Sequence, residues 1–175
     1  MGPRIRSGGS VVDRRSAILV GMPDVPITVR PAVPADLERL VELMEAGSLE
    51  PGREDPADLP AYRAALDEIQ AHPPSDVLVA VAGDQVVGVC QFIVFRHLQR
   101  RGGRCAELES MHVHPDWRSR GVGGVLLEEA VARARAAGCF RVQLTSNVAR
   151  VDAHRFYERH GFEPSHKGMK RYLTS

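Results

Sequence analysis

From Ile27 onward the period of the apolar positions changes repeatedly, and each change marks an element. Ile27-Thr28-Val29-Arg30 alternates and stops at Pro31 and Pro34, which predicts a short strand. Leu37, Leu40, Val41 and Met44 then recur at helical spacing, with Asp36 placed as N-cap and Gly47 as the stop. Pro51-Gly52 and Pro56 mark a loop whose stretch Gly52–Asp58 is acidic and reads as mobile. Tyr62, Ala65, Leu66 and Ile69 predict a second amphipathic helix between Ala61 and Ala71, ended by Pro73-Pro74. Val77–Ala82 and Gln85–Phe95 are rich in β-branched residues, and Gly83-Asp84 between them predicts a hairpin.

A basic loop, His97–Gly103, leads to a further strand over Cys105–Val113, antiparallel to its predecessor. No aromatic residue interleaves with the arginines of that loop in sequence, so it reads as a solvated turn and not as a nucleic-acid patch. After Pro115 come Gly121, Gly123 and Gly124, and then a helix to Ala137 with Leu126, Leu127, Ala130, Val131 and Ala134 on one face. Glu129 and Arg133 are spaced for an ion pair on that helix, and Gly138 is placed to cap it. Arg141–Thr145 is a strand that follows the helix after a short turn, so it should run parallel to Cys105–Val113 in a β-α-β crossover. Val151–His160 is a last helix, stopped by Gly161. Phe162 and Met169–Leu173 supply the final strands. The predicted order is β-α-α-β-β-β-α-β-α-β-β, an α+β fold with a mixed, mostly antiparallel sheet and one parallel crossover.

The strand–turn–helix unit carries the most chemistry. Small residues at 121, 123 and 124 let an anion approach the backbone, where N–H groups of a first helical turn have no partner inside the helix. Arg118 and Arg120 add positive charge. The arrangement predicts a site for the pyrophosphate of a nucleotide-like molecule.

Composition narrows the partners. The chain has 175 residues, with 23 basic against 22 acidic ones, a balance that favours neither nucleic acid nor an anionic membrane. Cys90, Cys105 and Cys139 are odd in number and unpaired by spacing, so they read as buried apolar residues in a reducing, cytoplasmic setting. His112 and His114 form an H-x-H pair without a third ligand at suitable spacing, and no metal is expected. No stretch has the length of a membrane span, and Ala17-Ile18-Leu19-Val20 is too short for a secretory signal. Residues 1–24 read as a flexible leader, with an added edge strand as the alternative, ahead of one domain over 25–175.

Two familiar nucleotide loops do not fit. A Rossmann turn needs G-x-G-x-x-G and an acidic residue at the end of the next strand, whereas the chain has Gly121-Val122-Gly123-Gly124 and Thr145-Ser146-Asn147. A Walker A loop needs a lysine after its glycines, and none is near. Arg118-x-x-Gly121-x-Gly123, preceded by Val113-x-Pro115, instead resembles the acetyl-CoA signature of the GNAT superfamily of N-acetyltransferases. Three further segments resemble that family in the same order. They are Ile27–Ala32 followed by Asp36-Leu37, the hairpin Gly83–Gly88, and Ala153-His154-Arg155-Phe156-Tyr157-Glu158-Arg159-His160-Gly161-Phe162. The resemblance covers about residues 27–173.

The resemblance implies acetyl-CoA as co-substrate. Backbone N–H groups of Arg118, Ser119, Arg120, Gly121, Val122, Gly123 and Gly124 would cradle its pyrophosphate. Met111, His112 and Val113 would lie along the pantetheine arm, paired through the strand backbone. Asn147 and Arg150 would line the other side of a V between the two parallel strands. Tyr157 would protonate the departing sulfur and Glu109 would serve as base, with Glu107 as its neighbour and rival. A regular strand places Glu109 on the face of Met111, and one bulge would reverse that.

The function expected is direct acetyl transfer to a primary amine of a small molecule or peptide. A non-catalytic acyl-CoA sensor, or a transferase using another acyl-CoA, are the alternatives. The acceptor pocket is expected among Gly47–Asp58, His97–Arg104 and Ser165–Lys170, and the family resemblance is compatible with a homodimer.

Overall fold

Strands follow one another in chain order across a single sheet: β1 (Ile27–Pro31), β2 (Asp76–Ala82), β3 (Gln85–Arg96), β4 (Arg104–Val113) and β5 (Cys139–Leu144). The first three pairings are antiparallel and β4–β5 is parallel, as the crossover requires. The coordinates are a computed structural model describing residues 25–173, so the segment 1–24, expected to be a leader, lies outside the described residues.

Helices α1 (Leu37–Gly47) and α2 (Leu59–Gln70) cover one face. Leu37, Leu40, Leu43 and Leu66 pack there on Val77, Val79, Val86 and Val89. Helix α4 (Val122–Ala136) covers the other face, packing Val122, Leu126, Leu127, Ala130 and Ala134 on Leu78, Val87, Phe92 and Leu108. Helix α5 (Val151–Arg159) adds Phe156 and Tyr157 to the edge of that second core. A single turn, α3 (Gln99–Gly102), joins β3 to β4. Because strand side chains alternate, both apolar faces are filled and the central strands read as nearly continuous apolar runs.

The hairpin, the crossover and the four longer helices form where the apolar spacing places them. The Glu129–Arg133 pair is present at 2.8 Å, and Gly138 ends α4 with φ 70°. Asp36 is used differently from a simple N-cap. Its carboxylate takes two hydrogen bonds from Arg30, at 2.7 and 2.9 Å, and one from the Val33 N–H.

The loop before α2 is also more ordered than its composition suggests. Glu45 accepts from the N–H groups of Gly52 and Glu54, Tyr62 donates to Glu54, and Asp58 caps α2 through Ala61.

The chain departs from prediction at its end. Phe162 packs edge-on against Tyr157, with ring centroids 5.8 Å apart. Beyond it, the two expected strands are absent among the described residues. Met169, Tyr172 and Leu173 stay exposed there, so pairing would bury too little apolar surface to offset the cost of ordering the backbone. The observed order is therefore β-α-α-β-β-α-β-α-β-α, still an α+β fold with a mixed sheet.

Candidate active site

The site begins where the two parallel strands stop pairing. The last partners across β4 and β5 are Leu108 and Leu144, yet β4 runs on to Val113, bonded only to β3. The backbone groups of Glu109–Val113 that face β5 are left for another partner. This is a V-shaped opening in the sheet, wide enough to expose strand backbone on one side only.

A bulge lies inside that free half of β4. Val89 pairs with His112 and Gln91 with Glu109, so Cys90 alone faces both Ser110 and Met111. Ser110 adopts φ 49° to accommodate the extra residue. The regular-strand expectation for Glu109 is overturned as a result. Glu109 shares its face with Glu107 and His112, toward α1, whereas Met111 joins the α4 and α5 side, where Tyr157 meets it. Glu109 and Tyr157 therefore border the opening from opposite faces of the sheet.

Their environments set their proton affinities in useful directions. Burial pushes the Tyr157 hydroxyl up to about 12, with nearby Cys90 and Glu109 adding to the rise and Arg150 opposing it. The phenol thus holds its proton at neutral pH and can donate it. Its Oη lies 3.6 Å from the Met111 sulfur. Burial, then the like charge of Glu107, raise the Glu109 carboxyl above the usual carboxylate range, while Lys170 and a hydrogen bond with Thr145 partly offset this. A carboxylate with raised affinity is a better proton acceptor. Glu107 accepts a 3.1 Å hydrogen bond from Gln143 on β5.

The glycine-rich turn has the backbone of an anion site. Ser119 at φ 59° and Gly121 at φ 80° are left-handed residues flanking Arg120, a pattern that turns successive N–H groups toward one side. No side chain caps α4, its first turn holds no acidic residue, and its first internal bond is from the Val125 N–H to the Gly121 carbonyl. The N–H groups of Val122, Gly123 and Gly124 thus have no acceptor within the helix, and the positive end of its dipole is not neutralised. A helix end of this kind attracts an anion.

Not every glycine serves that purpose alone. A Cβ on Gly121 would meet nothing within 4 Å, but one on Gly123 would lie 3.4 Å from Phe156, and one on Gly124 3.4 Å from His160. These two lie where α5 packs on α4, with room for a Cβ in contact and little beyond it, a neighbourhood that spacing along the chain does not reveal. Arg118 donates to the Val113 carbonyl at 3.3 Å, and Arg120 lies over the Trp117 ring.

The remaining predicted residues are held in local structure. Asn147 closes its own turn by accepting from the Ala149 N–H. Arg150 reaches across the opening to the Gly47 carbonyl, 2.5 Å away, and so ties the loop after β5 to the end of α1. His112 packs against Gly47 so closely that a Cβ there would overlap the imidazole. Burial and the charges of Arg150 and Arg118 push His112 down to about 4, which keeps it neutral. His114 instead accepts from the Asp116 N–H in the turn after β4. The two histidines thus have separate roles, and among the described residues no group of three or more metal-ligating side chains forms. Cys90 and Cys105 are buried, as expected, and Cys139 is half-buried. No helix among the described residues is long and apolar enough to cross a membrane.

The model of the acetyltransferase (GNAT) family matches residues 38–162, and the chain belongs to that family. It is an N-acetyltransferase. An aminoglycoside N(6')-acetyltransferase type 1 of Stenotrophomonas maltophilia is 31% identical over 144 residues, covering 80% of this chain and 88% of that one. Aminoalkylphosphonate N-acetyltransferase of Salmonella typhimurium is 32% identical over 109 residues, covering 62% of this chain and 70% of its own. Among solved structures, one described as a transcriptional regulator from Bacillus halodurans C-125 superposes with a TM-score of 0.80. It is 34% identical and covers 85% of this chain and 100% of its own.

Proposed function

We propose that this protein transfers the acetyl group of acetyl-CoA directly to a primary amine of a small molecule or peptide. The observation that carries the reading is the unpaired half of β4, flanked by Glu109 on one face and Tyr157 on the other. Acetyl-CoA, when bound, supplies a thioester as acyl donor. The turn 118–124 would hold its diphosphate through backbone N–H groups, and Met111–Val113 would present strand backbone to its arm.

The chain's own groups then have distinct work. An amine attacks only when neutral, so a proton must leave it, and Glu109 is the carboxylate with raised affinity at the opening. Tyr157 keeps a proton that the departing sulfur needs. On this reading the amine would enter between the loop tied by Glu45 and the segment around Lys170. The named substrates of the two curated relatives, aminoalkylphosphonates and aminoglycosides, are the first amines to offer.

Release of free CoA thiol on a panel of such amines tests the reading. Turnover with at least one amine, reduced about tenfold or more by Tyr157→Phe, is expected. Tight acetyl-CoA binding without turnover on any amine would favour a non-catalytic sensor instead.

A further inference from the structure

The chain has two lysines, Lys167 and Lys170, and both lie in the segment after Phe162, on either side of Gly168. Gly168 between them sits against Thr145, with 3.6 Å from its Cβ position to the Thr145 Cγ2. Thr145 directly follows Leu144, the last β5 residue paired with β4, and Glu109 directly follows its partner Leu108. Thr145 and Glu109 are therefore the two residues at the mouth of the opening, and Thr145 hydrogen-bonds the Glu109 carboxylate. Two residues after Gly168, Lys170 is exposed, and among the described residues no hydrogen bond or ion pair within 4 Å holds its ammonium. Its charge is felt at Glu109 all the same. A long, flexible amine thus belongs to the segment seated against Thr145 at the mouth of the opening, within electrostatic reach of Glu109.

We propose that Lys170 is itself an acetylation site, modified within the same molecule at the opening between β4 and β5. The inference rests on the acetyltransfer reading given above. Glu109 takes the proton from the Lys170 ammonium, and Nζ attacks the acetyl carbonyl. Attack forms the C–N bond, and the C–S bond of the tetrahedral adduct then breaks. The thiolate takes the Tyr157 proton while the second proton shed by nitrogen returns to Tyr157, leaving the amide, free CoA thiol and protonated Glu109. No oxidant or further reactant enters. The product has lost a positive charge next to Glu109, so modification alters the base as well as the segment. With Lys170 neutral, Glu107, the Thr145 hydrogen bond and burial alone set the Glu109 proton affinity, which rises.

The test incubates the full chain with acetyl-CoA and no added amine, then maps acetylated peptides by mass spectrometry. The expected result is one acetyl group on Lys170, formed at a rate independent of protein concentration and slowed about tenfold or more by Glu109→Gln. A second readout needs no acetyl-CoA: the Glu109 titration midpoint, followed by NMR, should move up in Lys170→Gln. Acetylation spread equally over Lys167 and Lys170, or undiminished in Glu109→Gln and in urea-unfolded protein, would mark a chemical side reaction and overturn the proposal. A protein that acetylates added amines yet leaves Lys170 free overturns it while sparing the functional reading. Failure on both added amines and Lys170 overturns both.

Discussion

The Tyr157 hydroxyl points at the Met111 sulfur, 3.6 Å away, from a helix on the far side of the sheet from Glu109. That contact exists because the bulge at Ser110 turns Met111 toward α5. It fixes the phenol at the rim of the opening without using up its proton, since a thioether sulfur is only a weak acceptor. Replacing Tyr157 with Phe keeps the ring packing on Phe162 and removes the proton alone. Turnover should fall about tenfold or more, with the acetyl-CoA dissociation constant changed little. Steady-state kinetics together with calorimetric binding separate the two effects, and a loss of binding equal to the loss of rate would contradict the acid role.

The pH profile should show Glu109 directly. Its carboxyl is raised by burial and by Glu107, and it acts only when ionised, so the acid limb of kcat/KM should lie above the ordinary carboxylate range. Glu107→Gln removes a like charge, and the limb should then move to lower pH. Lys170→Gln removes an opposing charge, and the limb should move to higher pH. Opposite shifts in these two variants identify Glu109; an unmoved limb in both would point to another base.

How far these features were legible in the chain depends on whether they are local. Turns, caps and helix faces depend on neighbours a few positions apart, so Gly83, Gly138 and the Glu129–Arg133 pair stand where periodicity puts them. The bulge did not show, because Ser110 is an ordinary strand-compatible residue and its left-handed backbone follows from pairing with β3. Phe140 is a similar case. In sequence the basic loop lacks an aromatic residue, yet in space Arg100 and Arg141 lie over the Phe140 ring and His97 beside it. Contacts between distant segments, such as Arg150 with Gly47, leave no periodic trace at all.

The glycine turn gives a sharper test once its residues are separated. At Gly121 a side chain meets open space, and aspartate tolerates left-handed backbone better than most residues. Gly121→Asp should therefore stay folded and lose acetyl-CoA binding, because its carboxylate enters the anion site. Gly123→Asp places its Cβ in contact with Phe156 and its carboxylate beyond the room left there, so it should lose binding and also about 1–3 kcal/mol of stability. Thermal unfolding and cofactor titration on both variants check this. Wild-type affinity in Gly121→Asp would refute the anion site.

The contact between Gly47 and His112 predicts a coupling that pH should expose. A Cβ at position 47 overlaps the imidazole, and the Gly47 carbonyl is also where Arg150 is anchored. Gly47→Ala must push His112 aside or shift the end of α1, at a cost of about 1–3 kcal/mol. His112→Ala in the same chain removes the clash, so the double variant should be less destabilised than the two single changes summed. His112 titrates at about 4 in the fold, against 6.5 when unperturbed. On acidification the unfolded chain takes up that proton first, so stability should fall as pH drops from 6.5 toward 4. In His112→Gln that part of the slope should vanish. Denaturant melts at a series of pH values measure it, and equal slopes in wild type and variant would show that His112 is not held neutral by burial and by the charges of Arg150 and Arg118.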